Sequence, residues 1–220
     1  MTKTDEKSIT FAMSAGFPVR TMVHTDKGLV PIDEIKIGDR VLSQPDVTGE
    51  RSYKPVVKLF QYNDREIVAL SYEVESEPDG YYTLHPTGDQ LFWVVDEGWK
   101  RADSFEGGER LVLVGAQMAT VLWCVPVFRT REAGVGWCAY DSLNDHEGVE
   151  LNFGPEPAFA RDGIRRDVEI ASSDAPRFRS KVYNFEVADN HTYYIGHPGV
   201  WVHNDGCSAG SRSILAIRCG

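Results

Sequence analysis

The sequence lacks several features that mark common functional classes. Its 220 residues contain no apolar run long enough for a transmembrane helix, and its first residues lack the apolar segment of a signal peptide. The formal net charge is −10, and no run of Arg and Lys residues offers a basic surface. We therefore expect neither a membrane nor a nucleic-acid partner. We expect a monomer, either cytoplasmic or part of a larger exported protein whose signal lies elsewhere.

Metal and cofactor motifs are also missing. The chain has four cysteines, and no two of them form a Cys-x-x-Cys pair, so a structural zinc site is not predicted. We expect no metal and no cofactor, and free thiols in the absence of a secretion signal. The cysteines are Cys124, Cys138, Cys207 and Cys219.

The residues that are present favour β structure. With 42% hydrophobic residues, the chain can form a packed core. Apolar residues alternate from Phe17 to Val23, which predicts one half-buried strand. Short runs of the same kind recur along the chain, separated by turns rich in Gly, Pro, Asn and Asp. They predict strands at residues 41–43, 56–60, 67–74, 81–84, 121–125, 149–153, 182–187, 192–195 and 200–202.

Residues 16–43 carry the most specific pattern of the first half. A Thr-Asp-Lys-Gly turn at 25–28 is followed by Pro-Ile-Asp-Glu-Ile at 31–35 and by Ile-Gly-Asp-Arg-Val-Leu at 37–42. Together, in this order, these pieces resemble the opening of a Hint domain, the self-processing fold of inteins and hedgehog proteins. The likeness is greatest to the intein-like Hint modules of bacterial polymorphic toxins.

A second pattern closes the domain. Tyr-Asn-Phe-Glu-Val at 183–187, His-Thr-Tyr-Tyr at 191–194 and Val-Trp-Val-His-Asn at 200–204 resemble the C-terminal Hint signature. The resemblance implies an all-β horseshoe fold with pseudo-two-fold symmetry, short turns and few or no helices. Residues 102–113 echo the turn-then-strand pattern of residues 32–42, which fits that symmetry.

The resemblance also implies a domain organisation. A Hint domain is expected at residues 16–204, between flanking segments at 1–15 and 205–220. Residues 114–180 form a variable insertion region, which is short and without basic character, so we expect β-hairpins or irregular structure and no nuclease.

The C-terminal signature supplies a reactive group. The side-chain amide of Asn204 can attack its own carbonyl carbon, close a succinimide and break the bond to Asp205. His203 is expected to stabilise the oxyanion or to protonate the departing amine. His191 matches the second C-terminal His of the family, which helps to draw a proton from the Asn amide.

The N-terminal junction has lost the family's chemistry. Gly16 stands where a Cys or Ser nucleophile is usual, and Ser14 is out of register. The block that normally reads Thr-x-x-His begins at Thr87 but ends in Gln90, which cannot shuttle a proton near pH 7. His85 lies nearby as a weak substitute.

The residue after Asn204 decides between splicing and cleavage. Splicing requires a nucleophile there, but the position holds Asp205, and Cys207 comes two residues too late. The sequence thus predicts at most C-terminal cleavage between Asn204 and Asp205, with the chain's own flanking segments as its partners.

Three other functions remain open. The chain is alternatively an inactive Hint module that serves as a connector in a toxin-like protein. It is alternatively a metal enzyme, because His191, His197 and His203 recur every six residues. Finally, five Trp and nine Tyr residues suit a carbohydrate-binding or interaction domain, although strand aromatics are usually core residues.

Overall fold

The computed structural model describes residues 14–46, 49–77, 80–139, 147–154, 160–164 and 175–204. These residues form strands throughout, with only three short 3₁₀ segments, at Ile32–Glu34, Ala102–Ser104 and Val114–Ala116. The all-β prediction is confirmed. The strands are β1 (Phe17–Pro18), β2 (Met22–Thr25), β3 (Gly28–Pro31), β4 (Arg40–Ser43), β5 (Ser52–Glu66), β6 (Val68–Val74), β7 (Tyr81–Leu84), β8 (Leu91–Val94), β9 (Gly98–Arg101), β10 (Arg110–Val112), β11 (Met118–Pro126), β12 (Phe128–Arg129), β13 (Val135–Ala139), β14 (Glu147–Asn152), β15 (Ala160–Ile164), β16 (Arg179–Val187), β17 (Thr192–Ile195) and β18 (Val200–His203).

The strands form two sheets. The larger sheet has 14 strands in the order β1-β16-β5-β4-β2-β17-β18-β8-β10-β11-β6-β7, with β3 paired to β2 and β9 paired to β8. The second sheet has four strands in the order β12-β13-β14-β15. Within the described ranges, no helix has the length and apolar character needed to cross a membrane.

The large sheet contains two equivalent halves. In each half, a hairpin (β2–β3 or β8–β9) leads through a 3₁₀ turn into a further strand (β4 or β10). The same backbone hydrogen bonds hold both turns, which confirms the pseudo-two-fold relationship expected from the sequence. In the first half, the Ile32 N–H donates to Thr21 O at 2.8 Å, and in the second half the Ala102 N–H donates to Gln90 O at 2.9 Å. Likewise, the Gly38 N–H donates to Val56 O at 2.8 Å in the first half, and the Gly108 N–H donates to Val121 O at 2.7 Å in the second.

The β17–β18 hairpin joins the two halves. Ile195 of β17 pairs with Val23 of β2, and Val202 of β18 pairs with Phe92 of β8. All four side chains are fully buried. Burying an apolar side chain of this size stabilises a fold by about 1.5–3 kcal/mol. The C-terminal strand β18 is therefore anchored in the centre of the core.

The predicted strand from Phe17 to Val23 is wrong as a single element. It divides into β1, which pairs with β16, and β2, which pairs with β3, β4 and β17. Arg20 separates them with a left-handed backbone (φ 64°), and its N–H donates to Asp33 Oδ1 at 2.6 Å. That turn directs the chain from the edge of the sheet, at β1, toward its centre, at β2.

The variable region contains antiparallel strands where it is described. β11 continues the large sheet, and β13, β14 and β15 pair successively in the second sheet. A second apolar core forms around Ile67, Val127 and Phe178. The predicted strands at 121–125 and 149–153 correspond to β11 and β14, although β14 ends at Asn152. The region thus adds a small sheet to the side of the domain.

Candidate functional site

Gly16 lies at the N-terminal junction, directly before β1. Its N–H donates to Thr87 Oγ1 at 3.1 Å, and the Thr87 N–H donates back to Gly16 O at 3.0 Å. Thr87 is buried. These two hydrogen bonds fix the position at which a Hint nucleophile would stand, although Gly16 itself has no group able to attack a carbonyl.

The backbone around Gly16 leaves no room for a side chain. A Cβ at this position would lie 2.5 Å from the backbone oxygen of Tyr183 in β16. A carbonyl oxygen in a strand that is paired on both sides cannot move as the end of a flexible side chain can. The close approach of two backbones therefore requires glycine here.

Gln90 faces the other junction. Its fully buried side chain donates from Nε2 to His203 O at 2.8 Å and to Leu91 O at 3.2 Å. Gln90 thus connects the start of β8 to the end of β18 through a side-chain hydrogen bond. An amide makes this contact but does not transfer protons near neutral pH.

Asn204 follows β18 and is 94% buried, with 6% exposure. Its backbone N–H donates to His191 O at 2.8 Å. Its side-chain Nδ2 and Oδ1 are both buried without a hydrogen-bond partner among the described residues. The backbone of Asn204 is fixed, while no described residue hydrogen-bonds to its side-chain amide.

Asn184, on β16, connects the two junctions. Its Nδ2 donates to Ala15 O at 3.0 Å and to Asn204 O at 3.2 Å. Its Oδ1 accepts from the Phe185 N–H at 2.8 Å and from the Tyr193 hydroxyl at 3.0 Å. Because a backbone N–H can only donate, the contact with Phe185 identifies Oδ1 and fixes the orientation of the amide.

Asn184 is absent from the sequence prediction. An Asn between Tyr183 and Phe185 on a predicted strand reads as an ordinary strand residue. The sequence pattern gives no signal for its burial, because Asn184 shares its strand face with Val182 and the charged Glu186, while Tyr183, Phe185 and Val187 alternate on the other face. A buried amide requires hydrogen-bond partners, and here both Nδ2 partners are junction carbonyls.

Aromatic rings surround His203. Its ring packs edge-on against Trp99 with a centroid separation of 5.0 Å. Trp99 contacts Trp201 at 5.0 Å and donates from Nε1 to Asp46 Oδ2 at 3.1 Å. The indole is therefore held from two sides and limits the orientations open to His203.

His191 also lies near His203. The two imidazole rings are 6.4 Å apart and inclined by 22°. His191 has a left-handed backbone (φ 57°), and its Nδ1 is 3.9 Å from Glu186 Oε1. The structure thus brings together the three residues predicted at the C-terminal junction, His191, His203 and Asn204.

Comparisons with known proteins agree on one family. A family model described as the pretoxin HINT domain matches residues 22–123. A bacterial intein-like domain from Clostridium thermocellum is 25% identical, with a TM-score of 0.55, over 86% of this chain and 98% of its own. This chain carries an intein-like Hint domain. A search of curated proteins finds no match.

Two inteins share the fold of this Hint domain at lower identity. A DnaB intein from Synechocystis sp. PCC 6803 is 12% identical with a TM-score of 0.53, and covers 87% of this chain and 99% of its own. The gp41-1 intein is 16% identical with a TM-score of 0.51, and covers 87% of this chain and all of its own, 100%. These likenesses show the architecture and leave the reaction open.

The other histidines of the Hint domain lie in different surroundings. His85 packs edge-on against Phe153 at 5.2 Å, beside the second sheet, and burial lowers its pKa to about 4. It is therefore neutral at pH 7. His197 lies beside His24, whose Nε2 is 2.9 Å from Gly196 O. Among the described residues, no three His, Cys, Asp or Glu side chains are grouped as metal ligands.

The cysteines of the described region are not activated. Cys124 and Cys138 are free, and burial raises the pKa of each thiol to about 12. A thiol with that pKa carries almost no thiolate at pH 7 and is a poor nucleophile. Asp205, Cys207 and Cys219 lie outside the described residues.

Proposed function

We propose that this Hint domain cleaves its own chain between Asn204 and Asp205 by Asn cyclisation, in a single turnover. The observation that carries the proposal is the setting of Asn204. Its carbonyl oxygen accepts a hydrogen bond from Asn184, while its own side-chain amide has no partner among the described residues. The carbonyl group of Asn204 is thus polarised for attack, and the side-chain amide that would attack it has no hydrogen-bond partner among the described residues.

The reaction balances within the chain. Nδ2 of Asn204 forms a bond to the backbone carbonyl carbon of the same residue and loses one proton. The carbon–nitrogen bond to Asp205 breaks, and the departing nitrogen gains one proton to become an amine. The products are a chain that ends in a succinimide at Asn204 and a free peptide that starts at Asp205.

Asn184 would stabilise the charge that develops on the carbonyl oxygen. Its amide is already oriented by Phe185 and Tyr193, so little reorganisation accompanies the reaction. Removing one preorganised donor of this kind costs about 10²–10³ in rate in other enzymes. The low polarity of the buried site strengthens the contact.

The two histidines are proposed to move the protons. His203 directly precedes Asn204 in the sequence and would protonate the departing nitrogen of Asp205. His191, whose backbone oxygen already holds the Asn204 N–H at 2.8 Å, would accept the proton from the amide. Imidazoles suit both roles because one ring nitrogen can donate a proton and the other can accept one.

Splicing is not part of this proposal. The N-terminal junction has Gly16 in place of a nucleophile and Gln90 in place of the proton-transferring His. The reacting groups all belong to one chain, so the proposed cleavage requires no cofactor, no metal and no second protein. Its partners are the chain's own flanking segments.

Intact-mass measurement of the purified chain tests the proposal. Wild type is expected to lose residues 205–220 over days, faster at raised temperature, while Asn204→Ala stays whole. A wild-type chain that remains whole throughout would instead support the second candidate, an inactive Hint module that connects parts of a toxin-like protein. This second candidate is favoured by the close contact between the backbones of Gly16 and Tyr183, which leaves no room for a side chain at position 16.

A further inference from the structure

A cavity of about 630 Å³ lies between the β12–β13 hairpin and the start of β16, and neither Gly16 nor Asn204 is among its lining residues. Its walls carry more basic than acidic side chains, although the chain as a whole has a net charge of −10. The acidic residues are Asp64 and Glu132. The basic residues are Arg129, Arg131, Arg177, Arg179 and Lys181.

Two of the cations already have partners. Arg179 pairs with Asp64 at 3.1 Å and with Glu66 at 2.5 Å, so its charge is compensated. Lys181 Nζ lies 5.3 Å from the centre of the Tyr183 ring, which orients the amine but leaves its charge in place. Asp64 is thus used by Arg179, and Arg129, Arg131, Arg177 and Lys181 remain as cations in the cavity lining.

Arg177 is the residue that points to a ligand. Its guanidinium lies over the Phe128 ring at 4.5 Å, which fixes the plane of the group. Nη1 of Arg177 is buried and has no hydrogen-bond partner within the described residues. Leaving a buried charged donor unsatisfied costs more free energy than leaving a neutral donor unsatisfied. An acceptor in the cavity would remove that cost.

Arg129 and Arg131 add two exposed guanidinium groups at the same cavity. No ion pair of either is found inside the described ranges. Guanidinium groups bind phosphate oxygens through paired N–H donors, and their charge persists at all physiological pH values. The volume is within the range of about 300–1,000 Å³ typical of small-molecule sites.

We propose that this cavity binds a small molecule that carries two or more adjacent phosphate groups. Adjacent phosphates place several negative charges within a few ångströms, which suits three arginines and a lysine around one space. The ligand would connect the loop after β12 to the first residues of β16. Because it binds the folded chain, it would raise the melting temperature.

Isothermal titration calorimetry of the full chain with inorganic tripolyphosphate tests the proposal. We expect saturable binding, and binding roughly tenfold weaker in Arg177→Gln and in Arg131→Gln. Arg40→Gln, a matched change on the distant strand β4, should bind as wild type does. Sulfate at equal ionic strength should not compete.

Three results would overturn the proposal. The first is neither binding heat nor a rise in melting temperature at about 10 mM tripolyphosphate. The second is equally weakened binding in Arg40→Gln, and the third is full competition by sulfate. Arg131 is exposed on a loop, so Arg131→Gln keeps the test decisive if Arg177→Gln fails to fold. The binding is read out without cleavage, so its outcome is independent of the reaction at Asn204.

Discussion

The side-chain nitrogen of Asn184 lies 3.2 Å from the carbonyl oxygen of Asn204, the carbonyl that must be attacked if the chain is to break. The same nitrogen lies 3.0 Å from Ala15 O, at the opposite junction. One buried amide therefore contacts both ends of the domain. The proposed reaction takes place at the C-terminal end, so the contact with Asn204 is the one that bears on it.

Replacing Asn184 with alanine should slow cleavage roughly 100-fold, because the oxyanion loses a preorganised donor. The rate is measured from the intact-mass time course. Asn152→Ala, which removes an Asn side chain from the second sheet, is the matched control and should leave the rate unchanged. Equal rates in Asn184→Ala and wild type would show that this amide does not assist the reaction.

Replacing Trp99 with leucine should slow cleavage roughly tenfold, because His203 loses the ring that limits its orientation. The pH dependence of the rate should also change, since the indole lies directly against the imidazole. Trp123→Leu, on β11 and outside the cluster of Trp93, Trp99 and Trp201, is the control. A slowed rate in both variants would indicate general destabilisation and not positioning.

Adding a side chain at Gly16 should destabilise the domain. A Cβ would approach Tyr183 O to 2.5 Å, and overpacking of this kind typically costs about 1–3 kcal/mol. The free energy of unfolding of Gly16→Ala, measured in urea, tests this expectation. An unchanged free energy of unfolding would mean that β16 moves aside easily.

Restoring the family's N-terminal residues should not restore N-terminal chemistry. Gly16→Cys meets the same backbone oxygen, and Gln90 contacts His203 O at 2.8 Å. We expect the double variant Gly16→Cys with Gln90→His to show no dithiothreitol-dependent cleavage between Ala15 and Gly16. Rapid cleavage there, detected by mass, would show that the junction is still competent.

The stability of the fold should fall between pH 6.5 and pH 4. Burial lowers the pKa of His85 to about 4, whereas an unfolded His titrates near 6.5. In this range the unfolded chain binds the additional proton, so stability decreases as the pH falls, by up to about 3 kcal/mol. Burial also lowers the pKa of His24, which acts in the same direction.

His85→Phe isolates the contribution of one histidine. Urea unfolding of this variant at pH 7 and pH 4.5 should show a smaller decrease than wild type, while the edge-on contact with Phe153 is kept. An identical pH dependence in the two proteins would mean that His85 is protonated without loss of the fold.

The ends of the domain were predictable from sequence, because turn residues and alternating apolar residues there encode short local hairpins. The β2–β3 hairpin and the β17–β18 hairpin follow this pattern. The left-handed turn at Arg20 was not predictable, since Arg carries no local signal for positive φ. The full length of β5 was also missed, because it depends on pairing with β16 far along the chain.

The functional site likewise contains residues that could be predicted from the sequence and residues that could not. Residues with reactive side chains, Asn204, His203 and His191, stand out by type and spacing. Asn184 does not, because its role depends on two carbonyls that are 169 and 20 residues away in sequence. The crowding at Gly16 likewise comes from β16, which no local pattern reveals.

The central claim is tested most directly by the chemistry of the new C-terminus. Purified wild-type chain is incubated, digested and analysed by tandem mass spectrometry. The account predicts a C-terminal peptide that ends at Asn204 as a succinimide, lighter by one water than the free acid and absent from Asn204→Ala. Wild-type chain that still continues through Gly220, or that ends at any other residue, would contradict it.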